Sequence, residues 1–212
     1  MKVSFVFDVI SPFAYLAFKR LGELPAGITL EYVPVLFGAI LNHHGQLGPA
    51  EIPSKRRFTY RFALWRAAQA GVPMRMPPAH PFNPLGALRL LIAAGSDARA
   101  AGTLLDAVFM QGRDVSDAKI LGEIARELGV PDLEAALASA EVKQRLRENT
   151  EWALARGVFG VPTFVIGDEL FWGQDAFEMV LDYLRDPAPF ESAEMRRIET
   201  LPVAVTRTRK PG

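Results

Sequence analysis

No cysteine occurs anywhere in the 212 residues. Its absence excludes disulfides, protein thiolate nucleophiles, CxxC redox exchange and thiolate metal sites together. Neither sign of charge is in excess: 24 Lys and Arg balance 24 Asp and Glu. No broad basic field therefore exists to gather nucleic acid or anionic lipid, and any anion site has to be local. Long hydrophobic runs are missing too. The N-terminal MKVSFVFDVISPF has only a short apolar stretch, interrupted by Asp8 and Pro12. It fits neither a signal peptide nor a membrane span, which makes the cytoplasm the expected address. Histidine is scarce. His43 and His44 sit in a loop and His80 lies among prolines, with no supporting carboxylate pattern. They read as solvated loop residues, and no metal is expected.

What is present is apolar substance, half of the residues, enough for a substantial core. KVSFVFD at 2–8 reads as a strand, Ser11-Pro12 opens a helix as serine caps and prolines prefer, and ITLEYVPV at 28–35 reads as a second strand. From Phe37 to about Glu141 the periodicity is helical, with blocks at 55–70, 84–94, 98–111, 117–128 and 132–138 punctuated by prolines. An amphipathic helix at 142–156 precedes a strand, a tight turn at Gly167-Asp168, a second strand and a final helix. With the helical block set aside, the order is β, α, β, then α, β, β, α. The expected fold class is α/β: a thioredoxin-like fold with an inserted all-helical domain. Its first half occupies 1–37, the insert 38–140, and the second half with a C-terminal tail 141–212. The tail ends TRTRKPG without apolar periodicity, and the expectation is that 201–212 is loosely held.

Chemistry concentrates in three places. Ser11-Pro12-Phe13-Ala14 stands where the first strand gives way to the first helix, and resembles the C-P-x-C of thioredoxin-like redox proteins with Ser11 at the first cysteine position. A helix start that lowers a thiol pKa is retained without a thiol, so the sulfur has to be borrowed; a serine hydroxyl can donate to a bound thiolate. Ser11 as a plain helix cap is the alternative. Gly160-Val161-Pro162-Thr163-Phe164 precedes the third strand and resembles the cis-proline segment of thioredoxin folds, which would leave the Val161 backbone open to a peptide-like ligand. A trans proline at an edge strand is the alternative. Trp172-Gly173-Gln174-Asp175 sits before the last helix, where an acidic residue is commonly a capping group. It also resembles the clamp by which glutathione-binding thioredoxin folds hold a γ-glutamyl end, with Asp175 on the amine and the N–H groups of Gln174 and Asp175 on the carboxylate.

Taken in order, FVFDVISPFAYLA at 5–17, LFGAILNHHG at 36–45, EIPSKRRF at 51–58, HPFNPLGALRLL at 80–91 and GVFGVPTFVIGDELFWGQD at 157–175 resemble the 2-hydroxychromene-2-carboxylate isomerases. That family lies in the DsbA-like group that also contains kappa-class glutathione transferases. The resemblance implies a glutathione-dependent isomerase, acting on a small aromatic-derived carboxylate by reversible thiolate addition, as a cytoplasmic homodimer without nucleic-acid or membrane partners. It implies Ser11 as the catalytic residue. Glutathione would be held by Ser11, Pro12, Phe13, Val161, Pro162, Gln174 and Asp175, with Lys55 at the glycyl end. Gln46, the second candidate for that end, stands where the family often has asparagine. Asn83 matches a family asparagine at the pocket mouth, and reads equally as a helix N-cap before Pro84. Phe37 is a substrate-wall candidate together with Phe13, Tyr15, Phe62 and Trp65, against core as the default for aromatics. Arg56, Arg57, Arg61 and Arg66 read as a solvated helix face more than as a basic rim. Two other functions stay open: a kappa-type glutathione transferase, and a non-catalytic thioredoxin-fold binding module.

Overall fold

Five of the six residues of strand β1 (Lys2–Phe7) are buried. The strand occupies the inside of a four-stranded sheet of order β2-β1-β3-β4, so both of its faces need apolar side chains. β2 (Thr29–Pro34) runs parallel to it, from Lys2 opposite Thr29 to Phe7 opposite Pro34. β3 (Thr163–Ile166) is antiparallel, with Phe5 opposite Phe164, and β4 (Glu169–Trp172) closes the far edge. The computed structural model describes residues 1–205.

The alternation of β1 sorts two cores. Val3, Phe5 and Phe7 face the larger one, with Phe164, Ile166 and Phe177; Val6 faces a smaller one, with Val33, Val35, Ile40, Val158, Val161 and Val165. Each buried aromatic or branched chain contributes about 1.5–3 kcal/mol. The turn from β3 to β4 has Gly167 at φ 60° in its first central position, the geometry that closes a two-residue hairpin in register.

A parallel β1–β2 pair requires a crossover, and α1 (Pro12–Phe18) supplies it. Between β2 and β3 the chain is helical: α2 (Phe37–His43), α3 (Pro53–Gln69), α4 (Leu85–Ala93), α5 (Ala98–Phe109), α6 (Ala118–Glu127), α7 (Leu133–Ala138) and α8 (Ala140–Ala155). Asp97, Asp117, Asp132 and Ser139 each accept an N–H of the helix they precede, so these starts are written into the sequence as caps. Leu88 and Leu91 of α4 are buried with Leu104 and Leu105 of α5 in the larger core, which runs without a break from sheet to helices. α1 packs on α5 and α3, which sets the start of α1 against the helical region.

The topology is the thioredoxin-like one expected, with mixed sheet and helical insertion. After α9 (Phe177–Arg185) the structure adds a short helix that the sequence reading omits, α10 (Ala193–Glu199), capped by Ser192. Of the stretch expected to be loosely held, 201–205 is exposed and irregular, and the rest lies outside the described residues. No helix among the described residues is long and apolar enough to cross a membrane.

Candidate active site

Ser11 is 7 % exposed and caps α1 from an extended backbone (φ −88°, ψ 115°), its Oγ accepting the Ala14 N–H at 3.2 Å. The same oxygen lies 3.5 Å from the Val161 carbonyl oxygen, across 150 residues of sequence. At that distance the hydroxyl proton is only loosely committed, since an O–H···O bond is normally about 2.7–2.8 Å. Capping and facing a second backbone segment are therefore compatible roles for one side chain.

The segment it faces is unusual. The Val161–Pro162 peptide is cis, and the Val161 N–H makes no hydrogen bond among the described residues. The Phe13 N–H, in the first turn of α1, is unpartnered in the same way. The Pro162 carbonyl, by contrast, accepts the Gly173 N–H at 2.8 Å, which draws the loop between β4 and α9 to the same place. Gly173 is required there twice over. Its φ is +99°, and a Cβ on it would stand 2.4 Å from Asp175 Oδ1.

In this loop Gln174 is buried, and with its amide oxygen turned toward α3 it accepts from Arg66 Nε at 3.1 Å and Nη2 at 3.2 Å. Arg66 is half-buried, so the expectation that it belongs to a solvated helix face is corrected. Asp175 is exposed; its carboxylate, and the backbone N–H groups of Gln174 and Asp175, make no hydrogen bond or ion pair among the described residues. Trp172 covers Gly160 so closely that a Cβ at Gly160 would meet its Nε1 at 2.4 Å.

Beneath Ser11 lies Asp8, fully buried at the end of β1. Its Oδ1 accepts the Ile10 N–H at 3.0 Å, its Oδ2 accepts the Phe37 N–H at 2.9 Å, and its carbonyl accepts the Ser11 N–H at 3.0 Å. Burial raises its pKa from 3.8 to about 7, outweighing the two N–H donors that favour the anion. No cation pairs with it among the described residues.

His80 is the second correction. It is not solvated: its Nε2 is 2.7 Å from the Ile10 carbonyl oxygen and its Nδ1 is 2.7 Å from Tyr60 Oη. His44 also has a partner, the Val158 carbonyl oxygen at 3.1 Å from Nε2, while His43 is exposed. No group of three His, Asp or Glu able to hold a metal ion occurs among the described residues.

The remaining candidates divide. Phe13 is half-buried with its ring 6.0 Å from Phe62, which continues as a stack to Phe58 and Trp65 along an exposed face of α3. Phe37 is half-buried and packs on the smaller core. Tyr15 is fully buried and donates to the Pro73 carbonyl at 2.6 Å, so it is core and leaves the aromatic wall. Lys55 stands exposed in the first turn of α3, with no ion pair among the described residues. Gln46 is exposed after α2, and Asn83 is exposed with its Oδ1 accepting the Leu85 N–H at 3.0 Å, a turn before α4. The structure thus joins Ser11, Val161, Pro162 and the 173–175 loop, and gives Gln46, Lys55 and Asn83 no hydrogen bond or ion pair to them. Asp8, Tyr60 and the tethering role of Arg66 were not anticipated. The one signal available for Asp8 was a charge closing an otherwise apolar strand three residues before a serine-proline helix start.

Residues 2–185 match the model of the DSBA-like thioredoxin domain. A 2-hydroxychromene-2-carboxylate isomerase of Pseudomonas putida is 32 % identical over 85 % of this chain and 92 % of its own. A kappa 2 glutathione S-transferase of Caenorhabditis elegans is 29 % identical over 87 % and 92 % respectively. Among solved structures, a 2-hydroxychromene-2-carboxylate isomerase superposes with a TM-score of 0.79 at 27 % identity, covering 92 % of this chain and 99 % of that one.

Proposed function

Since the chain belongs to the DSBA-like thioredoxin domain family, we propose that it is a glutathione-dependent isomerase of the 2-hydroxychromene-2-carboxylate type. The observation that carries the reading is the pairing of the Ser11 hydroxyl with an open Val161 backbone, 3.5 Å apart in a protein without cysteine.

The unpartnered groups fit glutathione in kind. Val161 offers an N–H to the cysteinyl backbone, as an added strand would use it. The N–H groups of Gln174 and Asp175, without a partner among the described residues, and the Asp175 carboxylate suit the carboxylate and amine of the γ-glutamyl end, and the Lys55 ammonium suits the glycyl carboxylate. Bound glutathione supplies a thiolate whose reversible addition to a conjugated C=C bond allows rotation about that bond. Ser11 does the chain's share: its O–H, loosely held at Val161, turns to donate to the sulfur anion and keeps it ionised. Phe13 and Phe62 present an aromatic wall to the substrate's ring. Gln46 stands as a further candidate at the glycyl end of glutathione, and Asn83 and Phe37 as candidates on the substrate side. The reading carries with it a cytoplasmic homodimer, tested by fractionation and sedimentation.

Similarity to a kappa-type transferase supports transfer as the second reading. Turnover of 2-hydroxychromene-2-carboxylate with and without glutathione decides: an isomer with glutathione recovered intact is the expected result, and a stable conjugate favours the transferase. Ser11→Ala should raise the thiolate pKa of bound glutathione by about one to two units, the value of one charge-assisted hydrogen bond. An unchanged thiolate pKa in that variant refutes the role of Ser11, and no glutathione binding at millimolar concentration leaves a binding module.

A further inference from the structure

The peptide unit between Ile10 and Ser11 is gripped at both ends. Its carbonyl, on Ile10, has His80 Nε2 at 2.7 Å, and its N–H, on Ser11, donates to the Asp8 carbonyl at 3.0 Å. A carbonyl only accepts, so Nε2 must carry the proton. In the neutral ring Nδ1 is then an acceptor, and the Tyr60 hydroxyl 2.7 Å away is its donor. Burial holds the His80 pKa below its usual 6.5, which keeps that neutral tautomer near pH 7. Tyr60 Oη also lies 2.8 Å from the His80 carbonyl oxygen, so its single proton faces two acceptors of His80, the ring nitrogen and that carbonyl, and is shared between them.

The orientation of this peptide plane fixes where the Ser11 side chain points, because the plane is one half of the Ser11 φ torsion. We propose that His80 is a positioning residue for Ser11, locked by Tyr60 of α3, and that through it the helical insertion aims the hydroxyl at the ligand sulfur. The inference rests on the glutathione reading for its functional consequence, and on geometry alone for the clamp. His80 does not touch the reacting atoms. It acts as the outer partner of a metal-binding histidine does, by fixing an orientation that the inner group would otherwise lose.

Three variants test it: His80→Leu removes both nitrogens, His80→Gln restores an N–H where Nε2 stood, and Tyr60→Phe unlocks the ring with little change of volume. Two readouts are taken on each. One is hydrogen exchange at the Ser11 amide relative to the amides of β1; the other is the thiolate pKa of bound glutathione. Exchange at Ser11 should quicken about tenfold in His80→Leu and Tyr60→Phe with β1 unchanged, and the thiolate pKa should rise by about one unit. His80→Gln should return both toward the parent. Unchanged relative exchange at Ser11, or a parental thiolate pKa in a folded His80→Leu protein, overturns the proposal. If the parent itself binds no glutathione, the glutathione reading falls, and the exchange measurement still decides the clamp. If His80→Leu does not fold, Tyr60→Phe carries the same two readouts.

Discussion

Asp8→Asn offers the sharpest quantitative test of the site's foundations. The Asp8 carboxyl is wholly buried and has no cation beside it among the described residues, and its pKa stands at about 7 against 3.8 in an ordinary setting. A folded-state pKa above the unfolded one means that the folded chain keeps a proton the unfolded chain releases. Stability is therefore lost as pH rises from 3.8 to about 7, and the ionised carboxylate bears its full cost above that window. The gap corresponds to about 4 kcal/mol, of which about 3 falls between pH 5 and 8.5. Asparagine cannot ionise. It keeps an oxygen for either the Ile10 or the Phe37 N–H and turns an amine toward the other, a lost acceptor costing about 1–3 kcal/mol with little dependence on pH. Urea unfolding of both proteins across pH 5–8.5 isolates Asp8, because every other titrating group cancels in the difference. The variant's midpoint should gain on the parent's by about 1 M over that range. A pH-independent difference, or a parent that gains on the variant as pH rises, would refute the burial argument.

Gly160→Ala should destabilise by about 1–3 kcal/mol, because its Cβ would meet the Trp172 indole and displace it; thermal unfolding with indole fluorescence checks both the loss and its cause. Arg66→Ala should weaken glutathione binding about tenfold while leaving the fold intact, since the buried Gln174 amide loses the guanidinium that holds the 173–175 loop; calorimetry with glutathione measures it, and unaltered affinity would sever that loop from the ligand.

Much of the fold was legible because its signals are local. A short run of β-branched and aromatic residues marks β1, Asp97, Asp117 and Asp132 announce helices one residue ahead, and Gly167 with Asp168 marks a hairpin. The three stretches of the candidate site were visible through their resemblance to thioredoxin-fold motifs. What escaped depends on contacts between distant residues: His80 with Ile10 across 70 positions, and Arg66 with Gln174 across 108. A histidine between prolines and an arginine on a charged helix give no periodic or capping sign of such partners. Tyr15 shows the opposite failure, an aromatic beside the site whose place in the core is decided by α5 and the Pro73 carbonyl. α10 is a pair of exposed turns, too short for periodicity to separate from a loop.

Helix α3 reaches the site at three heights along one 17-residue rod: Tyr60 through His80, Phe62 against Phe13, and Arg66 at Gln174. Recombination between relatives is constrained accordingly. A chimera that exchanges the whole stretch between β2 and β3 would separate Arg66 from the glutamine it braces and Phe62 from the ring it meets. Crossover points that keep 53–82 together with 8–13 and 160–175 from one parent preserve all three contacts.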